Sequence, residues 1–114
     1  MKENIIQQKS FLFAVRIINL YKYLTNEKKE FVLSKQILRS GTSIGANSKE
    51  AQNAESKADF IHKLKIAIKE ADETEYWLFL CDAHKSYPDC KELLMDLSEI
   101  LKILNKIIST SKLK

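Results

Sequence analysis

Residues 60–81, FIHKLKIAIKEADETEYWLFLC, decide the fold class. Phe60, Leu64, Ala67, Ala71, Thr74, Leu78 and Cys81 recur in alternating steps of four and three. That is the period of one face of an α-helix, sustained over three heptads, whereas a half-buried strand alternates by two. The seam is small at its middle and large at its ends, a shape that receives a crossing helix at the centre. Just ahead, Ser56-Lys57-Ala58-Asp59 has the form of a capping box with Asp in place of the usual Glu or Gln. The spacing predicts a helix over about 57–84.

Downstream, Ser86-Tyr87-Pro88-Asp89 is a break. Pro88 cannot continue the preceding helix but is tolerated at the start of the next. Asp89 with Glu92 has the form of a second capping box. A fourth helix is predicted over about 89–109, with Leu94, Leu97, Leu101, Leu104 and Ile108 as its seam and Leu93, Ile100 and Ile107 widening it. Residues 109–114 are expected to fray.

Upstream, a second helix is predicted over about 28–53, with Thr25 or Asn26 as its N-cap. It holds Gly41 and Gly45, each costing about 1 kcal/mol relative to Ala in a helix interior. Four-residue spacing puts both on one face with Ser40, Ser48 and Ala51 nearby, so a neighbouring helix can approach closely there. The alternative is a kink near Gly41. The first helix is predicted over about 2–24 and carries two apolar stripes. Phe11, Ala14, Val15, Ile18 and Tyr21 form one; Phe13, Ile17, Leu20 and Leu24 form the other. A helix on the surface of a monomeric bundle needs one stripe. The second predicts burial against another subunit.

Two glycines and one proline in 114 residues fall far below ordinary usage, about 7% and 5%. All-β architectures need many such turns. An apolar content of 45% is enough to build a core rather than leave a disordered chain. Four helices on short connections predict one all-α domain over 1–114, an antiparallel up-down-up-down four-helix bundle.

Lysine and arginine total 19 against 15 acidic residues, a net charge of +4. The excess is uneven. Residues 1–57 carry ten basic and five acidic side chains, and residues 58–114 nine and ten. A basic half attracts phosphates, although Lys-rich solvated helix faces have the same composition. Phe11 to Leu24, the most apolar stretch, is interrupted by Arg16, Asn19 and Lys22 and falls short of a membrane span of about 20 residues. No secretory signal pattern opens the chain, and two cysteines read as free thiols, so a cytoplasmic, membrane-free protein is expected.

Catalytic motifs do not emerge. Gly41-Thr-Ser-Ile-Gly45-Ala-Asn-Ser-Lys49 lacks a Lys directly after a glycine and sits in a helical pattern rather than between strand and helix. There is no nucleophile elbow, no His-Glu-x-x-His and no Glu-x-x-His. Cys81, Asp82, His84 and Cys90 match no standard zinc spacing. No metal, cofactor or enzymatic activity is expected.

The informative residues are polar. Gln36, Arg39, Ser43, Asn47 and Glu50 fall along one face of the second helix, and Lys63, Glu70, Glu73 and Trp77 along one face of the third. If these faces meet, Arg39 forms a bidentate pair with Glu70 or Glu73. The set then reads as an ion-pair network that fixes helix register or subunit contacts; an acid/base pair of Glu70 and Glu73 is the alternative. Lys28, Lys35 and Lys49 project to similar sides of the second helix, with Lys57 beyond its end. Without interleaved aromatics or a helix-turn-helix, contacts from these lysines are to phosphates, salt-sensitive and poor in sequence readout.

Gln36-Ile37-Leu38-Arg39-Ser40-Gly41-Thr42-Ser43-Ile44-Gly45-Ala46-Asn47 with Glu50-Ala51, then Ser56-Lys57-Ala58-Asp59-Phe60-Ile61, then residues 69–78, KEADETEYWL, resemble the motif blocks of the bacterial 23S rRNA intervening-sequence proteins. The resemblance covers nearly the whole chain. It implies a four-helix bundle with no established enzymatic activity. That family is in turn similar to an accessory protein of diversity-generating retroelements, a pentameric barrel that binds nucleic acid and a reverse transcriptase. The resemblance therefore implies a homopentamer with RNA or DNA as partner, or a protein-interaction scaffold serving a nucleic-acid enzyme. Gln36, Arg39, Ser43, Asn47, Glu50, Glu70 and Glu73 match its polar motif. The chain departs from it in lacking a glycine after Glu50.

Overall fold

The computed structural model describes residues 4–113. It contains four α-helices in chain order: α1 (Ile5–Asn26), α2 (Leu33–Ala51), α3 (Lys57–Ala83) and α4 (Lys91–Lys112). Each packs on its sequence neighbours, and α1 closes the bundle against α4. The fold is the expected all-α four-helix bundle in sequential up-down order, elongated to 48 × 24 × 20 Å. Among the described residues, no helix is long and apolar enough to cross a membrane.

The helix ends differ from the sequence expectations for identifiable reasons. The expected start of α1 at Lys2 lies outside the described residues; within them, the Asn4 side chain accepts from the Gln7 N–H at 3.1 Å and caps the helix. Thr25 and Asn26 do not cap α2. They complete α1, where the Thr25 hydroxyl donates back to the Tyr21 carbonyl. Lys29 then adopts a left-handed backbone, φ 54°, and α2 begins at Leu33 rather than Lys28. Its cap is remote. The Glu30 carboxylate accepts the N–H groups of Val32, Leu33 and Ser34 at 3.2, 2.9 and 2.7 Å, satisfying donors that the helix leaves open. At the other end α2 stops at Ala51 without a glycine, closed by the Gln52 N–H on the Lys49 carbonyl.

Ser56 caps α3 as its motif predicts, accepting from the Asp59 N–H at 3.0 Å, while Asp59 accepts from the Glu55 N–H. The α4 cap is different. The helix starts at Lys91, not Asp89, and its N-cap Cys90 makes no side-chain cap bond. Instead the Cys90 N–H donates to Asp82 of α3 at 2.8 Å, and Asp89 accepts from the Lys91 N–H. Pro88 therefore lies in the loop. The helix continues to Lys112, past the expected fraying point.

The α3 seam is the spine of the core. Leu64, Ala67, Ala71, Thr74, Leu78 and Cys81 are all inaccessible to solvent. Its small centre receives α2, where the Thr74 hydroxyl donates to Ser40 Oγ at 2.9 Å. The seam of α4 is turned slightly from the expected one: Leu93, Leu97, Ile100, Leu104 and Ile108 are buried, and Leu94 and Leu101 flank them. On α2 the glycine face remains helical, and α1 is the helix that approaches it. A Cβ built on Gly45 lies 3.3 Å from Ser10 Oγ, and one on Gly41 lies closer still to Ile17.

The two stripes of α1 part company. Phe13, Ile17, Leu20 and Leu24 are in the core. Phe11 is 67% exposed, Val15 41% and Ile18 42%.

Candidate functional site

The polar faces of α2 and α3 do meet. Arg39 bridges two carboxylates rather than chelating one: Nη1 donates to Glu70 Oε1 at 3.3 Å and Nη2 to Glu73 Oε2. The same Nη2 reaches Gln36 Oε1 at 3.2 Å, and Trp77 Nε1 donates to Glu73 at 3.2 Å. One turn spacing on α3 places Glu70 and Glu73 within reach of a single guanidinium, which is planar and carries five donors. Further along the same groove, Lys63 pairs with Glu50 at 3.0 Å, and this partner holds the Lys63 ammonium above its ordinary range. Ser43 and Asn47 bond within α2, to the carbonyls of Arg39 and Ser43. Glu70 and Glu73 thus converge on one arginine, with Trp77 also bonded to Glu73, the geometry of a cross-helix clamp.

His84 stacks on Tyr87 with ring centroids 4.3 Å apart, and Asp82 is held by the Cys90 N–H and Lys91. Cys81 and Cys90 are free thiols, both buried. Among the described residues, no group of three His, Cys, Asp or Glu side chains is placed to hold a metal ion.

The four candidate lysines do not form one patch. Lys28 lies in the α1–α2 loop and Lys35 in the first turn of α2. Lys49 follows Lys35 by fourteen residues, about 21 Å along the helix at 1.5 Å per residue. Lys57 begins α3, at the same end as Lys49. The set therefore splits between the two ends of the bundle. Lys28 sits 6.0 Å from the ring centroid of Tyr23.

Two exposed aromatic features do not follow from the helical period. Phe31 and Val32, inside the helix expected over 28–53, instead lie in the α1–α2 loop, 59% and 76% exposed. The usable signal was Glu30, a carboxylate three residues ahead of Leu33. Second, α3 carries an exposed apolar patch of Tyr76, Phe79 and Leu80. The exposed stripe of α1 is itself flanked by grooves on both sides. One, against α2, is lined by Gln7, Phe11, Thr42, Gly45 and Lys49. The other, against α4, is lined by Leu12, Val15, Arg16, Asp96 and Glu99. Arg16 pairs with Glu92 at 3.1 Å and with Asp96 across the second groove, and Lys9 with Glu99.

A family described as 23S rRNA-intervening sequence protein matches residues 2–106. A crystal structure of a protein of unknown function from the S23 ribosomal protein family of Bacteroides thetaiotaomicron superposes with a TM-score of 0.88. It is 58% identical, with 90% of this chain and 97% of that chain covered. No curated protein matches the chain.

Proposed function

The chain belongs to the 23S rRNA-intervening sequence protein family, and on that premise we propose that it is a non-catalytic, self-associating bundle that binds RNA or DNA through phosphate contacts. The observation that carries the reading is the exposed α1 stripe. Its companion stripe already fills the core, so intramolecular packing leaves Phe11, Val15 and Ile18 in water. Contiguous apolar surface of this kind marks an interaction face.

A second patch supports a ring. Tyr76, Phe79 and Leu80 lie on α3, which is diagonal to α1, with no Cα of one within 8 Å of a Cα of the other among the described residues. A two-fold dimer through either patch leaves the other bare. Joining unlike patches head to tail covers both, and closes into a ring when the rotation allows. Five copies is the number that the family resemblance implies. Within such an assembly Arg39, Gln36, Glu70 and Glu73, with Lys63 and Glu50, hold α2 and α3 in register, and Lys28, Lys35, Lys49 and Lys57 are the proposed phosphate contacts.

Light scattering and fluorescence anisotropy test both halves. The expected mass is a multiple of 13.2 kDa, with binding to RNA or DNA that weakens steeply with salt. A monomer at micromolar concentration, or no binding to either nucleic acid at low ionic strength, overturns the reading. The exposed α1 stripe also favours a second reading, an accessory scaffold for a nucleic-acid enzyme such as a reverse transcriptase. A stoichiometric protein partner recovered free of nucleic acid would establish that one.

A further inference from the structure

The α1–α2 loop combines features that phosphate contact alone does not explain. Phe31 presents most of its ring to solvent, and Val32 beside it is more exposed still. Tyr23, on the last turns of α1, is 44% exposed and carries the Lys28 ammonium near its face. Lys22, Lys28, Lys29 and Lys35 surround these rings in sequence. Of the two acidic residues in the segment, Glu27 is exposed, but Glu30 is turned inward and spent on three backbone N–H groups. Residues 22–35 thus carry four lysines against two carboxylates, a net charge of +2, with the Glu30 charge directed at the backbone of α2.

The loop is also held in shape. The Glu30 N–H donates to the Leu24 carbonyl at 2.9 Å, and its carboxylate fixes the entry to α2. Lys29 occupies a left-handed backbone position at φ 54°, where glycine is relieved of the strain that a side chain brings. A lysine kept there at a cost to stability is a reason to look for what its ammonium does.

We propose that this loop is a single-strand binding site, in which an unpaired base of RNA or DNA stacks on Phe31, with Tyr23 as a second platform, while Lys28, Lys29 and Lys35 hold the adjoining phosphates. This rests on the nucleic-acid reading above and adds a location and a preference for unpaired strands. Every base offers a π-face, so stacking tolerates sequence, and a duplex withholds its bases from such a ring. Rigidity of the loop removes ordering cost at binding.

The probes are a fluorescein-labelled oligouridylate and a duplex RNA of equal length, titrated against the full chain across a salt series. The wild type is expected to prefer the single strand. Phe31→Ala lowers affinity for oligouridylate by about tenfold and leaves the salt slope unchanged, as loss of one stacked base should. Lys29→Gly moves two readouts in opposite directions: thermal stability rises, while the salt slope falls by about 0.7, the value for one single-strand phosphate contact. The proposal is overturned if Phe31→Ala and Tyr23→Ala bind oligouridylate as the wild type does, or if Phe31→Ala changes the assembly mass, which makes the ring a subunit contact. Salt-sensitive wild-type binding with an inert Phe31 removes this site alone; absence of any wild-type binding removes the underlying reading with it.

Discussion

A Cβ placed on Gly41 of α2 would lie 2.9 Å from both Cγ1 and Cγ2 of Ile17 on α1. Those atoms sit at the branch of a fully buried, β-branched side chain with one strongly preferred rotamer in a helix. They cannot swing aside cheaply. The glycine is what lets the two helices close.

Two opposing effects therefore decide Gly41→Ala. Alanine gains about 1 kcal/mol of helix propensity. Overpacking a core site costs about 1–3 kcal/mol. Overpacking wins here, and a net loss of about 1 kcal/mol is expected by urea denaturation at fixed protein concentration. Gly45→Ala meets Ser10 alone, Oγ at 3.3 Å and Cβ and the carbonyl oxygen at 3.5 Å, so its propensity gain offsets the crowding and stability changes by less than about 0.5 kcal/mol. Equal losses at both positions would refute the close-approach account of Gly41.

The Arg39 clamp makes a testable coupling. Its members are partly exposed, Arg39 by half, so each pair is screened. A double-mutant cycle on Arg39→Ala and Glu73→Gln should return a coupling of about 0.5–1 kcal/mol at low salt, shrinking in high salt. Arg39→Lys should lose most of it, because a single ammonium cannot span Glu70 and Glu73 as a planar fork does. Zero coupling would mean that the network does not hold α2 to α3.

Acid should unfold the bundle through named carboxylates. Burial pushes the Glu30 carboxyl up, but the N–H groups of Leu33, Ser34 and Val32 outweigh it and hold the group below its usual range. The Cys90 N–H and Lys91 do the same for Asp82, and Lys9 for Glu99. A depressed carboxylate contributes stability that is complete above its unfolded pKa, about 3.9 for Asp and 4.3 for Glu, and lost as pH falls through the folded value. The melting temperature should hold between pH 5 and 7 by this route and drop below about pH 4. Glu30→Gln should melt lower at neutral pH and show a shallower acid decline.

The thiols should be silent in the native protein. Cys81 and Cys90 are essentially inaccessible. The hydrogen bond between the two thiols pushes Cys90 well above its ordinary range and Cys81 below it, so the silence of Cys81 rests on its burial. A thiol-reactive disulfide reagent at pH 7 should label fewer than one group per folded chain and both after denaturation. Rapid labelling of the native protein would show that the α3–α4 hairpin opens.

Self-association rests on the outer face of α1. Phe11→Asp with Val15→Asp places charge on residues that the core does not use, so helical circular dichroism should be retained while light scattering falls toward 13.2 kDa. An unchanged mass would assign assembly to another surface.

Local patterning made much of this bundle legible. Helical period and the near absence of glycine and proline are properties of neighbouring residues, and they sufficed for four helices, the α3 seam and the Ser56 cap. The Arg39, Glu70 and Glu73 set was also readable, because one-turn spacing on two helices leaves few ways for their faces to meet. What spacing cannot express is which of several neighbours a polar group chooses. Glu30 took three backbone donors and delayed α2 by a turn; Asp82 took the Cys90 N–H and delayed α4. Each choice depends on where the previous helix delivers the chain.

The sequence by itself determined that the chain is an all-α bundle with more apolar surface on its first helix than one face can bury. Only the tertiary structure decided which stripe the core takes, since both have the same period and Gly41 makes room for Ile17's, where a Cβ would lie only 2.9 Å from it. It alone also split the lysines between the two ends and turned Lys28–Val32 from a helical turn into a charged, aromatic loop. Periodicity reports the pattern along one helix, while position on the folded surface is set by how the helices dock.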